Sequence, residues 1–245
     1  MTATTTGYRD TVRLLASAQK DAARSAPAYS RFVNRRLGRL LAAWAVRRGL
    51  SPNAVTGLSA LATFSGIALL ALLPPSWLLG AGVALLLVLG YALDSADGQV
   101  ARLTGTGSPA GEWLDHVVDA TKISAMPLAL LVGLYRFEPV PVGWFAVPLV
   151  HAVAGAVLFF AMILTEQLRR AHGVRSIAAT GGRAPWLRSV LAIPTDYGVL
   201  CLAFFLFGAP LAFMVVYTAI VACTALFTAA ACLKWFREIG RLGTS

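Results

Sequence analysis

Six apolar stretches dominate this chain, near residues 54–73, 77–95, 113–134, 142–165, 188–207 and 210–233. Each is long enough, or nearly so, to cross a hydrocarbon core of about 30 Å. In lipid a backbone must satisfy its own hydrogen bonds, and the stretches show no strand-like alternation, so helices are expected. Pro74-Pro75 and Gly208-Ala209-Pro210 mark tight turns between neighbouring spans. Composition agrees, with only 13% charged residues against about 25% in a soluble domain. The expected fold is an all-α integral membrane protein with six transmembrane helices and an N-terminal interfacial amphipathic helix.

The net charge of +10 is compatible with nucleic acid, a membrane surface or an anionic substrate. Position decides between them. Ten basic residues precede residue 50, from Arg9 to Arg48. Arg102 follows the second span, while Arg169, Arg170, Arg175, Arg183 and Arg188 lie between or at the edges of spans four and five. Lys234, Arg237 and Arg241 follow span six. With six alternating helices all of these share one side, and Arg136 alone falls in a loop on the other. The positive-inside rule then places both termini in the cytoplasm of a multi-pass cell-membrane protein. Charges distributed by topology, without a soluble fold to carry them, argue against a nucleic-acid partner.

Residues 28–50 read as the interfacial helix, with Phe32, Leu37, Leu40, Leu41 and Trp44 at helical spacing among Arg35, Arg36, Arg39, Arg47 and Arg48. Such a helix can lie in the headgroup layer or pack on the end of the bundle, and the two are compatible. Residues 1–27 form a polar segment expected to be loosely structured. They show no apolar core of a signal peptide, so later segments are expected to direct insertion. Residues 51–236 form the six-helix membrane domain and 237–245 a short cytoplasmic tail. The loop at 172–186 reads as a mobile connection or an anion-binding lid. Cys201, Cys223 and Cys232 lie in apolar runs without metal-ligand spacing and read as small buried hydrophobes.

Of 11 acidic residues, Asp94, Asp97, Asp115 and Asp119 fall within one short window, with Glu112 among them. Carboxylates at membrane depth are costly and need a partner or a task. Asp94 and Asp97 are three apart at the end of the second helix, and Asp115 and Asp119 four apart at the start of the third, so each pair shares a face. A short connection would bring the faces together. Four such groups repel unless protons or cations neutralise them. Hard oxygen ligands suit Mg²⁺ or Mn²⁺. Two such ions could bind a diphosphate, and one carboxylate could take a proton from a hydroxyl. A buried ion network, or a transporter's proton path, remains an alternative for either pair alone. Gly98, Ala101 and Gly111 leave room for a ligand, and Arg102 is placed to meet a phosphate.

Together the residues read Asp94-x2-Asp97-Gly98-x2-Ala101-Arg102-x8-Gly111-x3-Asp115-x3-Asp119. This pattern resembles the signature of the CDP-alcohol phosphotransferase family at all eight fixed positions. A weaker resemblance extends over about residues 30–240. It implies a polar cavity open to the cytoplasm, usually in a homodimer. It implies two divalent cations, Mg²⁺ or Mn²⁺, held by Asp94, Asp97, Asp115 and Asp119, with Asp119 also the general base. Asp97, Gly98, Ala101, Arg102 and Gly111 would shape the site for the CDP group. Leu50-Ser51-Pro52-Asn53-Ala54-Val55-Thr56 looks like a second stretch common in the family, in which Asn53 and Thr56 would reach the nucleotide or diphosphate. Ser51 as N-cap with Pro52 at the first helical position explains the same stretch physically.

The reaction implied is transfer of a phosphatidyl or other substituted phosphoryl group from a CDP-linked donor to a polar alcohol or alcohol phosphate, with release of CMP. CDP-diacylglycerol is the donor that the resemblance and a location in lipid imply, with a soluble CDP-alcohol and a lipid acceptor as the alternative. Lys122, three residues after Asp119, with Arg169, Arg175 and Arg188, forms the expected acceptor site, and Asp196 could hydrogen-bond a hydroxylated acceptor or serve as a structural carboxylate. The stretch Ile193-Pro194-Thr195-Asp196 departs from the arginine-containing motif of phosphatidylinositol-phosphate synthases. His116, His151 and His172 read as structural or solvated. An ion-coupled transporter and a non-catalytic scaffold compete with this reading. No inverted repeat supports the first, and the complete signature opposes the second.

Overall fold

Serine hydroxyls cap the starts of two long helices, and Pro or Gly follows the end of each. The computed structural model describes residues 7–17, 28–137, 139–174 and 195–242. Helix α1 spans Tyr8–Ser17, and α2 spans Arg35–Arg47 after a π-helical turn at Ser30–Asn34. Helix α3 (Pro52–Leu72) opens with Ser51 Oγ accepting from the Ala54 N–H at 3.2 Å and with Pro52 in its first turn. Pro74-Pro75 then forbids continuation. Ser76 Oγ caps α4 (Trp77–Thr104), which ends on Gly105 at φ 67°, a left-handed conformation that costs glycine little. Helices α5 (Pro109–Phe137), α6 (Ala146–Ala171), α7 (Tyr197–Ala203) and α8 (Pro210–Ile239) complete the fold.

The chain is an all-α, multi-pass membrane protein. Among the described residues no strand occurs, and five helices are long and apolar enough to cross a membrane. The fifth expected span, 188–207, is described only from Thr195, where α7 runs into a 3-10 turn at Phe204–Leu206. The span boundaries also move. Helix α4 passes the expected end at 95 and reaches Thr104, and α8 passes 233 and reaches Ile239. Hydropathy marks where the lipid ends, whereas the helix continues until a residue such as Gly105 stops it.

Helix α4 is the axis of the bundle, packed on α2, α3, α7 and the turn after α7. Helix α3 also meets α5, α5 meets α6, and α6 meets α8. Phe204, Phe207, Phe213 and Tyr217 form an aromatic core, with the Phe207 and Phe213 rings edge-on at 5.1 Å. Tyr217 also shares a hydrogen bond of 2.7 Å with His151 Nδ1, which gives that buried imidazole a structural partner. At the far end from the aspartates, Arg136 donates to the Ala71 carbonyl at 3.0 Å.

Helix α2 packs against α4 through fully buried Ala42, Ala43 and Ala45, while its Leu40 and Trp44, and Phe32 in the π-helical turn before it, stay exposed. It therefore seats on the bundle and still offers an apolar edge to the lipid surface. Within the N-terminal segment expected to be loosely structured, Tyr8–Ser17 is a helix, while residues 1–6 and 18–27 lie outside the described residues. Tyr8, Thr11, Val12 and Leu15 recur at helical spacing, and Thr11 and Leu15 are buried. The Tyr8 hydroxyl donates to the Leu40 carbonyl at 3.1 Å, so α1 docks on α2.

Gly80 lies where α4 meets the turn after α7. A Cβ there would sit 2.5 Å from the Phe204 carbonyl oxygen and 2.9 Å from Phe207 Cβ. Gly80→Ala is expected to destabilise the fold by about 1–3 kcal/mol through overpacking, read as a lower melting temperature in detergent. Gly82→Ala, with nothing within 4 Å of the added carbon, is expected to hold or slightly raise that temperature through alanine's better helix propensity.

Candidate functional site

The site is made by the turn between α4 and α5. Gly105 ends α4, and Ser108 Oγ accepts from the Gly111 N–H at 3.1 Å at the head of α5. Only residues 105–108 separate the two helices. The Asp94–Asp97 face of α4 is thereby folded onto the Asp115–Asp119 face of α5.

Carboxylate oxygens of Asp94, Asp115 and Asp119 all lie within 4.8 Å of one another. Asp97 stands beside this trio, its Oδ2 accepting from Thr56 Oγ1 at 2.6 Å and its Oδ1 from the Gly98 N–H. Lys122 Nζ donates to Asp94 Oδ1 at 2.7 Å, to Asp119 Oδ1 at 3.1 Å and to Ser59 Oγ at 3.1 Å. The Ser59 hydroxyl donates in turn to the Gly90 carbonyl at 2.9 Å. One ammonium cannot offset four carboxylates. Asp115 Oδ1 is buried with no hydrogen-bond partner among the described residues. An orphaned carboxylate oxygen beside two others is a donor set suited to a hard divalent cation.

A cavity of about 510 Å³ opens against this cluster. Asn53, Thr56, Asp97, Gly98, Ala101, Arg102 and Gly111 all line it, together with Asp115, Glu112 and the connector residues Thr106, Gly107, Ser108 and Pro109. The two glycines keep its walls open. A Cβ on Gly111 would lie 3.0 Å from Asn53 Oδ1, and one on Gly98 would lie 3.3 Å from Arg102 Nη1. The Arg102 guanidinium therefore folds back along α4 over Gly98. On α2, burial and then the Arg102 charge hold Arg35 below its ordinary pKa, which marks this flank as cationic.

The residues expected to bind an acceptor are dispersed. Lys122 sits among the carboxylates. Arg169 grips Glu238 through two bonds of 2.8 Å, tying α6 to α8. Arg170 donates to Glu112 at 2.9 Å and so braces the cavity wall. Asp196 is buried and its two oxygens accept the Gly198 and Ser30 N–H groups at 3.0 and 3.1 Å. It caps α7 and anchors the start of the α2 segment, which is the structural alternative. Arg175, Arg183 and Arg188 lie outside the described residues, as does most of the 172–186 loop.

Sequence reasoning missed Ser59, whose place three residues after Thr56 on one face of α3 was the available signal. It also missed the connector, because Thr106, Gly107 and Ser108 carry no ionisable group. The family model described as CDP-alcohol phosphatidyltransferase matches residues 49–232, which takes in every residue of the cluster and cavity. No curated protein matches the chain.

Thr56→Val keeps the side-chain shape and strips Asp97 Oδ2 of its donor. It is expected to cost about 1–3 kcal/mol, seen as a lower melting temperature in detergent. Thr56→Ser is expected to restore most of that loss.

Proposed function

Because the chain belongs to the CDP-alcohol phosphatidyltransferase family, we propose that it transfers a phosphatidyl, or other substituted phosphoryl, group from a CDP-linked donor to an alcohol hydroxyl, releasing CMP. The observation that carries this reading is the convergence of Asp94, Asp115 and Asp119 beside a cavity lined by Gly98, Ala101, Arg102 and Gly111. CDP-diacylglycerol is the proposed donor, since a multi-pass membrane enzyme can draw its acyl chains from the bilayer. The proposed acceptor is a polar alcohol or alcohol phosphate. We place the site and both termini on the cytoplasmic side, following the basic residues, and propose a homodimer as the assembled form.

In this mechanism the cavity seats the cytidine and diphosphate. Gly98 and Gly111 let the donor approach the backbone, and Asn53 and Thr56 contact it from α3. Arg102 offers fixed donors to the diphosphate oxygens as negative charge moves onto CMP. Asp94, Asp97, Asp115 and Asp119 would hold divalent cations, which supply charge neutralisation to the diphosphate when bound. Asp119 takes the proton from the acceptor hydroxyl. That oxygen bonds to the β-phosphorus, and the bond from the β-phosphorus to the bridging oxygen breaks. The electron pair leaves with CMP.

Purified protein with Mg²⁺ or Mn²⁺, CDP-diacylglycerol and a panel of acceptors is expected to release CMP with at least one of them. The panel holds glycerol 3-phosphate, inositol phosphate, inositol, serine and phosphatidylglycerol. Asp119→Asn is expected to fold, bind donor and lower turnover by at least about 100-fold, the scale of a lost general base. Appreciable turnover in that variant would remove Asp119 from the base role. A wild-type protein that neither binds the donor nor releases CMP would sink the reading.

A further inference from the structure

Helix α8 is longer than a bilayer requires. Its 30 residues, Pro210–Ile239, rise about 45 Å at 1.5 Å per residue, against a hydrocarbon core of about 30 Å. The C-terminal end lies on the side of the aspartates. There Arg169 joins Glu238 of α8, and its neighbour Arg170 joins Glu112 on the wall of the nucleotide cavity. The last turns of α8 therefore stand at the depth of the lipid headgroups. Another cavity, of about 690 Å³, opens on them. Ala230, Lys234, Arg237 and Arg241 line it at steps of four, three and four, so they share one face. The turn after α8 keeps the helical course, with the Arg241 N–H donating to the Glu238 carbonyl at 3.1 Å. Leu233 adds apolar surface, and Val174, just past the left-handed Gly173, supplies a wall from the end of α6.

Positive-inside topology accounts for basic residues at this depth. It does not account for their alignment round a hollow with an apolar floor. Nor do the nearby negative groups use up their charge. Arg169 takes both carboxylate oxygens of Glu238, each at 2.8 Å. The C-termini of α6 and α8 carry about half a negative charge each, less than Lys234 and Arg237 together, before Arg241 is counted. We propose that this cavity is a binding site for an anionic phospholipid of the surrounding leaflet. Lys234, Arg237 and Arg241 hold the phosphate, and the glycerol and the start of an acyl chain lie on Ala230 and Leu233. The volume falls within the range of about 300–1,000 Å³ usual for small-molecule sites. A free phosphate would use the cations and leave the apolar floor bare. A choline headgroup would bring a cation against them. A lipid seated there joins the ends of α6 and α8 beside the Arg169–Glu238 pair. The site stands whether or not the chain transfers phosphatidyl groups.

The test is a lipid titration read by native mass spectrometry, on the delipidated full-length chain in detergent. The probes are dioleoyl phosphatidic acid and dioleoyl phosphatidylcholine, and the affinity of the first lipid bound is compared. Wild type is expected to bind phosphatidic acid about tenfold or more tighter than phosphatidylcholine, the scale of two or three basic residues at a lipid surface. The double variant Lys234→Gln with Arg237→Gln is expected to lose about that factor for phosphatidic acid. Arg47→Gln with Arg48→Gln removes as much charge from the end of α2 and is expected to keep the wild-type affinity. Ala230→Phe keeps every charge and fills the floor from an exposed position. It is expected to weaken phosphatidic acid about fivefold or more, the scale of overpacking, and it decides the matter if the double variant does not fold. Four results would overturn the proposal. The first is equal affinity for the two lipids in wild type. The second is unchanged affinity in Ala230→Phe, which would mean diffuse charge attraction without a site. The third is an equal loss in the α2 variant. The fourth is displacement of the lipid by excess inorganic phosphate, which would assign the cations to a free anion.

Discussion

Crowded carboxylates are the constraint from which the rest of this structure follows. A lone charge at membrane depth is expensive, and several together repel as well. The chain gathers four of them at the end of two apolar helices and answers with an ammonium held on three sides, a hydroxyl on Asp97 and an open cavity beside Asp115. Stability alone would favour removing these groups or pairing each with a partner. The orphaned oxygen of Asp115 marks the place where the protein stops short of satisfying itself. A buried acceptor without a partner calls for an explanation, and its place beside two further carboxylates is what fits it to a cation.

The surrounding fold holds that unfavourable group in place. Helix α4 carries Asp94 and Asp97 and is also the element packed on α2, α3 and α7. The aromatic core of Phe204, Phe207, Phe213 and Tyr217 fixes its other end. Above the site, Arg170 and Arg169 connect α6 to Glu112 and Glu238. Arginines that positive-inside topology would place near this surface are therefore also cross-braces between helix ends. Exposed pairs of this kind add little energy singly. Their value here is in fixing how far α5 and α6 stand apart at the cavity wall.

Much of this was legible in sequence, for identifiable reasons. Apolar runs announce helices because lipid tolerates little else. The spacing of the four aspartates gave the shared faces, since three- and four-residue separations on a helix have one geometry. Every residue expected around the nucleotide does line one cavity, because Gly98, Ala101 and Arg102 follow Asp97 along α4, and Asn53 and Thr56 share one end of α3. The acceptor residues were legible only as charges. Whether Arg169 meets a substrate or Glu238 depends on a helix that lies 69 residues away. Asp196 shows the same limit, because a carboxylate that caps its own helix and one that binds a ligand are written alike. Helix α1 was missed because its stripe of Tyr8, Thr11 and Leu15 is short and only half apolar.

The bond from the Ser30 N–H to Asp196 spans 166 residues of chain. It has a consequence for biogenesis. The amphipathic segment leaves the ribosome early, before any span exists to receive it, and can rest on the membrane surface meanwhile. Its final latch is synthesised only with the start of α7. Closing that latch draws Ser30 onto the bundle beside Tyr91, whose carbonyl accepts from Asn34 at 3.1 Å. Asp196 thus adds a second tie to a segment that α4 already receives through Asn34 and the buried face of Ala42, Ala43 and Ala45, so the seat made early in the chain is fastened again by a residue made late.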